Sequence, residues 1–247
     1  MIKVAVTGAK GRMGSTVCAA VEGAEDMSLV ARLDQGDLIT PDSLKGAQVV
    51  VDFSIPSATQ DNVAAILASG ADAVVGTTGW TAQAYDTVRA QLAQLPQRSA
   101  IIAPNFALSA VLAMSFAEKA AAYFESAEVI EMHHPNKVDA PSGTAYATAQ
   151  AISRGRLAAG LAPMPDATET DPLGARGAVI EGVPVHAVRL RGLNAHEEIL
   201  FGNPGEQLVI RSDCFDRQSF MPGVLLAVRK VRGRGGLTIG LEKILGI

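Results

Sequence analysis

The chain has 247 residues, enough for one large or two modest domains and for a substantial core without disulfides or structural metal. Hydrophobic residues make up 48% and charged residues 19%, which excludes a disordered chain, and aromatics at 4% leave the core to Ala, Val, Ile and Leu. A net charge of -4 and a pI near 5.6 lack the basic footprint expected of a nucleic-acid partner.

Cys18 and Cys214 lie outside any C-x-x-C pair, which fits a reducing compartment better than a disulfide framework. The N-terminus runs straight into a strand pattern with no visible signal peptide. No stretch reaches the roughly 18 apolar residues of a membrane span. The expectation is a cytoplasmic protein without a membrane partner.

The first hundred residues alternate β-branched runs (Ile2–Thr7, Leu29–Leu33, Val49–Phe53, Ala73–Val75, Ala100–Ile102) with helical patterns (Met13–Val21, Ala58–Ala68, Ala82–Leu95). Short, almost wholly apolar strands that alternate with helices predict a parallel sheet covered on both faces. After Asn105 the pattern changes. An Ala-rich helix over Ser109–Phe124 leads to a strand at Ala127–His133, a polar loop and a helix near Gly143–Ser153. An extended surface loop is expected over Leu161–Gly177. Strand patterns at Val183–Leu190, His196–Phe201 and Gln207–Ser212, joined by short turns, predict antiparallel pairing of neighbours. The tail is helical again over Ser219–Val231.

The strongest local signal is Gly8-Ala9-Lys10-Gly11-Arg12-Met13-Gly14, after the first strand and opening the first helix. Gly8 permits the tight turn, Gly11 lets backbone N–H groups approach a pyrophosphate, and Gly14 allows close helix–strand packing. An ordinary glycine-rich turn is the simpler reading of such a triplet. Asp34 tips the balance, because it follows the second strand about 20 residues beyond Gly14, the place of a ribose-binding carboxylate. A ribose contact at Asp34 favours NADH, whereas Lys10 and Arg12 could meet the 2′-phosphate of NADPH or simply be solvated. Use of both cofactors is expected. Gly76-Thr77-Thr78 and Ala103-Pro104-Asn105-Phe106 follow the fourth and fifth strands at the ligand-binding edge of such a sheet. Phe53 could lie against the nicotinamide-side ribose or belong to the core.

The loop Glu131-Met132-His133-His134-Pro135-Asn136-Lys137-Val138-Asp139-Ala140-Pro141-Ser142-Gly143-Thr144-Ala145 holds two of the four histidines. One reading is a surface loop with Ser142 or Asp139 as helix N-cap. Zinc is disfavoured, because adjacent strand histidines point to opposite faces and no third ligand falls at metal spacing; no metal is expected. The third reading is an active-site loop for an anionic substrate. Gly143 and Thr144 open a helix whose N–H groups can bind a carboxylate, Lys137 adds positive charge, and His133 can donate a proton near neutral pH.

Gly-Ala-Lys-Gly-Arg-Met-Gly, Val-Gly-Thr-Thr-Gly, Ala-Pro-Asn-Phe and above all Glu-Met-His-His-Pro-Asn-Lys-Val-Asp-Ala-Pro-Ser-Gly-Thr-Ala resemble the 4-hydroxy-tetrahydrodipicolinate (dihydrodipicolinate) reductases of lysine and diaminopimelate biosynthesis. The resemblance runs from the first strand to the last helix. It implies His133 as proton donor, and Lys137 as a second donor and substrate contact. It further implies His134, Ser142, Gly143 and Thr144 around a small dicarboxylate, and NAD(P)H against Gly8–Met13, Asp34, Gly76–Thr78 and Ala103–Phe106. The implied fold is α/β, an N-terminal Rossmann-type parallel-sheet domain (1–106 plus 217–247) with an α+β substrate-binding and oligomerisation domain (107–216). A homotetramer joined through the second domain's sheet, and a hinge between the domains, are also implied. Ser109 stands where the family often has glycine and Glu197 where it often has glutamine. The alternatives are another NAD(P)-dependent oxidoreductase of a small amino or imino acid, and an NAD(P)-sensing protein without turnover.

Overall fold

The structure, a computed structural model, describes residues 1–247. The chain divides into two compact units, Met1–Ala107 with Arg217–Ile247, and Leu108–Asp216.

In the first unit, β1 (Ile2–Thr7), α1 (Arg12–Glu22), β2 (Met27–Leu33), β3 (Val49–Asp52), α2 (Thr59–Ala68), β4 (Asp72–Val75), α3 (Ala82–Ala93) and β5 (Ser99–Ile102) follow one another. β3, β4 and β5 are buried along their whole length, as strands covered on both faces must be. This is why they read as apolar runs without alternation.

The second unit begins with α4 (Leu108–Ala120), a 3-10 turn, β6 (Ser126–His133) and α5 (Gly143–Ala158). Next come β7 (Ala178–Ile180), β8 (Val183–Arg189), β9 (Ala195–Asn203) and β10 (Glu206–Cys214). They form a five-stranded sheet in the order β10-β9-β6-β8-β7. The expected antiparallel pairing of neighbours holds for β9–β10 and fails for β8–β9. β6 lies between those two, parallel to β8 and antiparallel to β9. The Arg191–Asn194 connection therefore spans β6 instead of forming a hairpin. The helix at Gly143 also runs five residues beyond Ser153, and β7, three residues long, gave no sequence signal. One face of this sheet packs under α4 and α5 around Val129, Val185, Ile199 and Phe201.

The chain then returns to the first unit with α6 (Met221–Val231), β11 (Gly236–Ile239) and the short α7 (Glu242–Leu245). β11 pairs with β5 and completes a six-stranded parallel sheet, β11-β5-β4-β3-β1-β2. At four residues beside Gly233, Gly235 and Gly236, all at positive φ, β11 was hidden in a glycine-rich tail. No helix is long and apolar enough to cross a membrane.

Candidate active site

The glycine turn of the first unit is sterically required. Gly8 has φ +72°, and a Cβ there would sit 2.4 Å from the Phe53 carbonyl oxygen. A Cβ on Gly14 would sit 2.0 Å from the Gly8 carbonyl oxygen, so α1 can approach the turn only with glycine at that point. α1 starts at Gly11 without a side-chain cap, which leaves its first-turn N–H groups to an outside acceptor. Ala9 is buried and Met13 half-buried, while Lys10 and Arg12 are exposed beside the turn.

Asp34 faces this turn. Its carboxylate accepts the Lys10 N–H at 2.5 Å and the Gln35 N–H at 2.8 Å, and those two bonds, Gln35's first, hold it below the usual carboxylate range. Gly8, Gly11, Asp34, Phe53, Ser54 and Asn62 help bound a cavity of about 360 Å³. The acceptor at its rim, the bare helix start and the glycine floor fit a dinucleotide's ribose and pyrophosphate.

Phe53 lines the cavity and also packs into the interior of the first unit. It is half-buried on the cavity wall, and its ring packs so close to Gly76 that a Cβ there would be 2.1 Å away. The Phe106 ring, itself buried, lies 6.0 Å from it centroid to centroid. Gly76, Thr77 and Thr78 leave the end of β4, and Ala103, Pro104, Asn105 and Phe106 leave the end of β5; none of them lines this cavity. Asn105 folds back, its Oδ1 accepting the Ala107 N–H at 2.9 Å.

Asp52 is the last residue of β3. It is fully buried and accepts from Thr7 Oγ1 (2.6 Å), Thr59 Oγ1 (2.7 Å), Thr77 Oγ1 (2.9 Å), Asn62 Nδ2 (3.0 Å) and Ser54 Oγ (3.1 Å). These donors are hydroxyls and one amide, and they join β1, β3, α2 and the loop after β4.

In the second unit the polar loop leaves the end of β6. Glu131 and His133 lie two residues apart on this strand and so share one face. Glu131 is fully buried, and its Oε2 lies 2.6 Å from His133 Nδ1. Arg189, at the end of β8, grips the same carboxylate with both guanidinium nitrogens, at 2.7 Å and 2.8 Å. Burial pushes the Glu131 carboxyl up, but the Arg189 and His133 bonds outweigh it and hold the group ionised, below its ordinary value. Burial also lowers His133, and Lys137 and Arg189 add to that, against the pull of Glu131.

Lys137 Nζ donates to Asp139 Oδ1 at 2.7 Å, and that bond lowers the Asp139 carboxyl. Ser142 caps α5, its hydroxyl accepting the Ala145 N–H at 3.1 Å, while its own N–H donates to Glu131 Oε1 at 3.0 Å. The bland reading of this loop as a capped helix start is thus correct for Ser142, which is buried, and not for Asp139. Gly143 is exposed with open space where its side chain would be, and Thr144 is half-buried beside it. His134 is half-buried, with Nδ1 enclosed and unpartnered.

The polar end of this sheet face extends further than the loop. Glu197 on β9 is buried, takes a bond from Thr148 Oγ1 at 3.3 Å and has no partner for Oε1. Ser212 lies opposite Glu197 on β10 and donates to Ser109 Oγ at 2.9 Å. The two departures from the family pattern, Ser109 and Glu197, therefore fall in one neighbourhood. Arg189 could not be tied to the loop from sequence, because only the β6–β8 pairing brings it there; the Glu131-x-His133 alternation was a readable signal.

Residues 2–106 match the family described as dihydrodipicolinate reductase, N-terminus, and residues 109–245 match dihydrodipicolinate reductase, C-terminus. A 4-hydroxy-tetrahydrodipicolinate reductase of Bifidobacterium longum (strain NCC 2705) is 60% identical over 252 residues, spanning 100% of both chains. One from Beutenbergia cavernae is 58% identical over 247 residues, 100% of this chain and 99% of the relative. Among solved structures, the dipicolinate-bound dihydrodipicolinate reductase from Paenisporosarcina sp. TG-14 superposes with a TM-score of 0.87 at 38% identity, covering 99% of each chain. Both halves of the sequence are matched and identity is high along its whole length, so the chain belongs to the dihydrodipicolinate reductase family, NAD(P)-dependent oxidoreductases of lysine and diaminopimelate biosynthesis.

Proposed function

We propose that the chain reduces 4-hydroxy-tetrahydrodipicolinate to tetrahydrodipicolinate, with the first unit holding NADH or NADPH and the second holding the dicarboxylate. The observation that carries this reading is that His133 and the start of α5 meet on one buried carboxylate, Glu131, with the Lys137 charge near enough to act on the His133 ring. Reduced nicotinamide, when bound, supplies a hydride for C4 of the substrate ring.

The chain's own residues bind, orient and protonate. The N–H groups of Gly143 and Thr144 and the Thr144 hydroxyl receive one carboxylate at the start of α5. Lys137 exchanges its Asp139 partner for the substrate, contributes charge to the site, and with His134 completes the binding surface. His133 protonates the enamine left after hydride addition. A dianionic substrate favours the charged imidazolium, offsetting the burial that keeps His133 neutral in the free protein. Fixing the reactants in place removes the entropic cost of their encounter.

Asp34 would accept from the adenosine ribose hydroxyls of NADH, while Lys10 and Arg12 would meet the 2′-phosphate of NADPH. Gly76–Thr78 and Ala103–Phe106, at adjacent strand ends, would contact the nicotinamide half. The face of the second sheet turned away from α4 and α5 carries Ile130, Met132, Val188, Leu200 and Val209, with Val209 52% exposed. The same face carries the ion-paired Glu128–His186 and Glu198–Arg211, and this open surface of mixed apolar and charged character supports contact between copies in a homotetramer. The decisive experiment is an assay coupled to dihydrodipicolinate synthase, following absorbance of NADH and NADPH in parallel. Failure to oxidise either nucleotide would sink the reading.

A further inference from the structure

We infer that Glu131 is the positioning residue of the reaction: one buried carboxylate fixes the ring of the proton donor His133 and the substrate-binding start of α5 together. This rests on the role given above to His133.

Four bonds meet on this side chain. Oε2 takes His133 Nδ1 at 2.6 Å and one Arg189 nitrogen at 2.7 Å; Oε1 takes the other Arg189 nitrogen at 2.8 Å and the Ser142 N–H at 3.0 Å. An ionised carboxylate can only accept, so His133 must donate from Nδ1. That leaves Nε2 as the position that exchanges a proton with the substrate. A neutral ring held this way has a bare Nε2; only the imidazolium can deliver a proton from it. Glu131 thereby selects both the tautomer and the orientation in which His133 is useful.

The same carboxylate reaches the substrate's anchor. Ser142 precedes Gly143, so its bond to Oε1 sets where the first helical N–H groups of α5 lie relative to the histidine ring. Arg189 completes the frame by donating to the Asp139 carbonyl at 2.7 Å, which ties down the loop carrying Lys137. The charged and titratable groups around His133 are Glu131 on its own strand, Arg189 on β8, Glu197 on β9, and His134, Lys137 and Asp139 on the loop; the α5 side contributes the Ser142 N–H and the hydroxyl of Thr148.

The test is Glu131→Gln, with Glu131→Asp as the variant that keeps the charge. Nitrogen-15 spectra of the imidazoles, with His133 assigned by its loss in His133→Asn, read the tautomer without turnover. In the native protein neutral His133 should carry its proton on Nδ1. In Glu131→Gln the amide oxygen is drawn to Ser142 and Arg189, its NH₂ faces Nδ1, and the proton should move to Nε2. kcat should then fall about 100-fold or more. Cofactor affinity should stay within twofold, and the His133 ionisation should move to lower pH. Glu131→Asp should keep the Nδ1–H tautomer and recover part of kcat. In a His133→Ala background Glu131→Gln should cost little further rate.

A native ring protonated on Nε2, or an unchanged tautomer and pH profile in Glu131→Gln, overturns the inference. The native spectrum decides even if the glutamine variant does not fold. Full turnover in His133→Ala would instead remove the proton-donor role itself, an outcome separable from the tautomer result.

Discussion

Glu197 on β9 stands directly opposite Glu131 on β6, so two buried carboxyl side chains share the helix-covered face of the second sheet. Their surroundings push them apart. Glu131 has Arg189 and stays ionised, whereas Glu197 has one hydroxyl donor and a carboxylate neighbour. Burial, with a smaller contribution from Glu131, raises Glu197 to about 7.

A stability dependence on pH follows. Below pH 4.5 Glu197 is protonated whether the chain is folded or not. Between 4.5 and about 7 the folded chain keeps a proton that the unfolded chain has lost, so stability falls as pH rises through this window. Glu197→Gln has no such charge to bury. Its advantage over the native chain should grow by roughly 3 kcal/mol between pH 4.5 and 8. Urea unfolding at fixed protein concentration checks this; an advantage that does not vary with pH refutes it.

The depressed pKa of His133 should appear in turnover. Protonation by His133 requires its acid form, so kcat/KM should fall as pH rises past a value below the ordinary 6.5. Substrate binding brings negative charge to the ring, so the corresponding pKa on kcat should lie higher. His133→Ala should reduce kcat far more than cofactor affinity, and Lys137→Ala should weaken both substrate binding and rate. Identical pKa values on kcat and kcat/KM would contradict the proposed coupling between substrate charge and proton donor.

Two glycine substitutions should behave oppositely. Gly14→Ala forces a Cβ to within 2.0 Å of a backbone oxygen, with nothing flexible to yield. It should cost about 1–3 kcal/mol of stability and at least tenfold in dinucleotide affinity. Gly143→Ala meets nothing within 4 Å and should leave the melting temperature unchanged. Its added methyl group would crowd the carboxylate proposed for the α5 N–H groups, so KM should rise about tenfold or more. Calorimetry and steady-state kinetics on both variants separate a demand of the fold from a demand of the ligand.

Asp34→Asn should weaken NADH more than NADPH, because the carboxylate's proposed role is with the ribose hydroxyls and Lys10 and Arg12 remain for the 2′-phosphate. Fluorescence titration with each nucleotide measures the ratio. A parallel loss for both would instead place the importance of Asp34 in holding the turn through the Lys10 N–H.

Much of this was readable in the chain. β1 was delimited from its apolar run alone, the glycine turn and Asp34 stood out by their spacing, and the His133–Lys137 loop by its concentration of polar residues between a strand and a helix. The unreadable parts depended on what lies beside what. β6 separates β8 from β9 because pairing in a sheet is settled by the whole face being buried, which no local turn signal reports. Arg189 therefore gave no hint of reaching Glu131 from 58 residues away. β11 escaped because its few residues are stabilised by a neighbour, β5, far earlier in the chain.

Asp52 has a consequence beyond its hydrogen bonds. Its two oxygens gather hydroxyls from the end of β1, the start of α2 and the loop beyond β4, and none of its donors carries a charge. Thr7, Ser54 and Asn62, which line the cavity beside the glycine turn, are thus levelled against a single point together with the loop beyond β4. Redesign of nucleotide preference can alter Lys10, Arg12 or Asp34 one at a time, but a change at Asp52 would unsettle several walls of the chamber together.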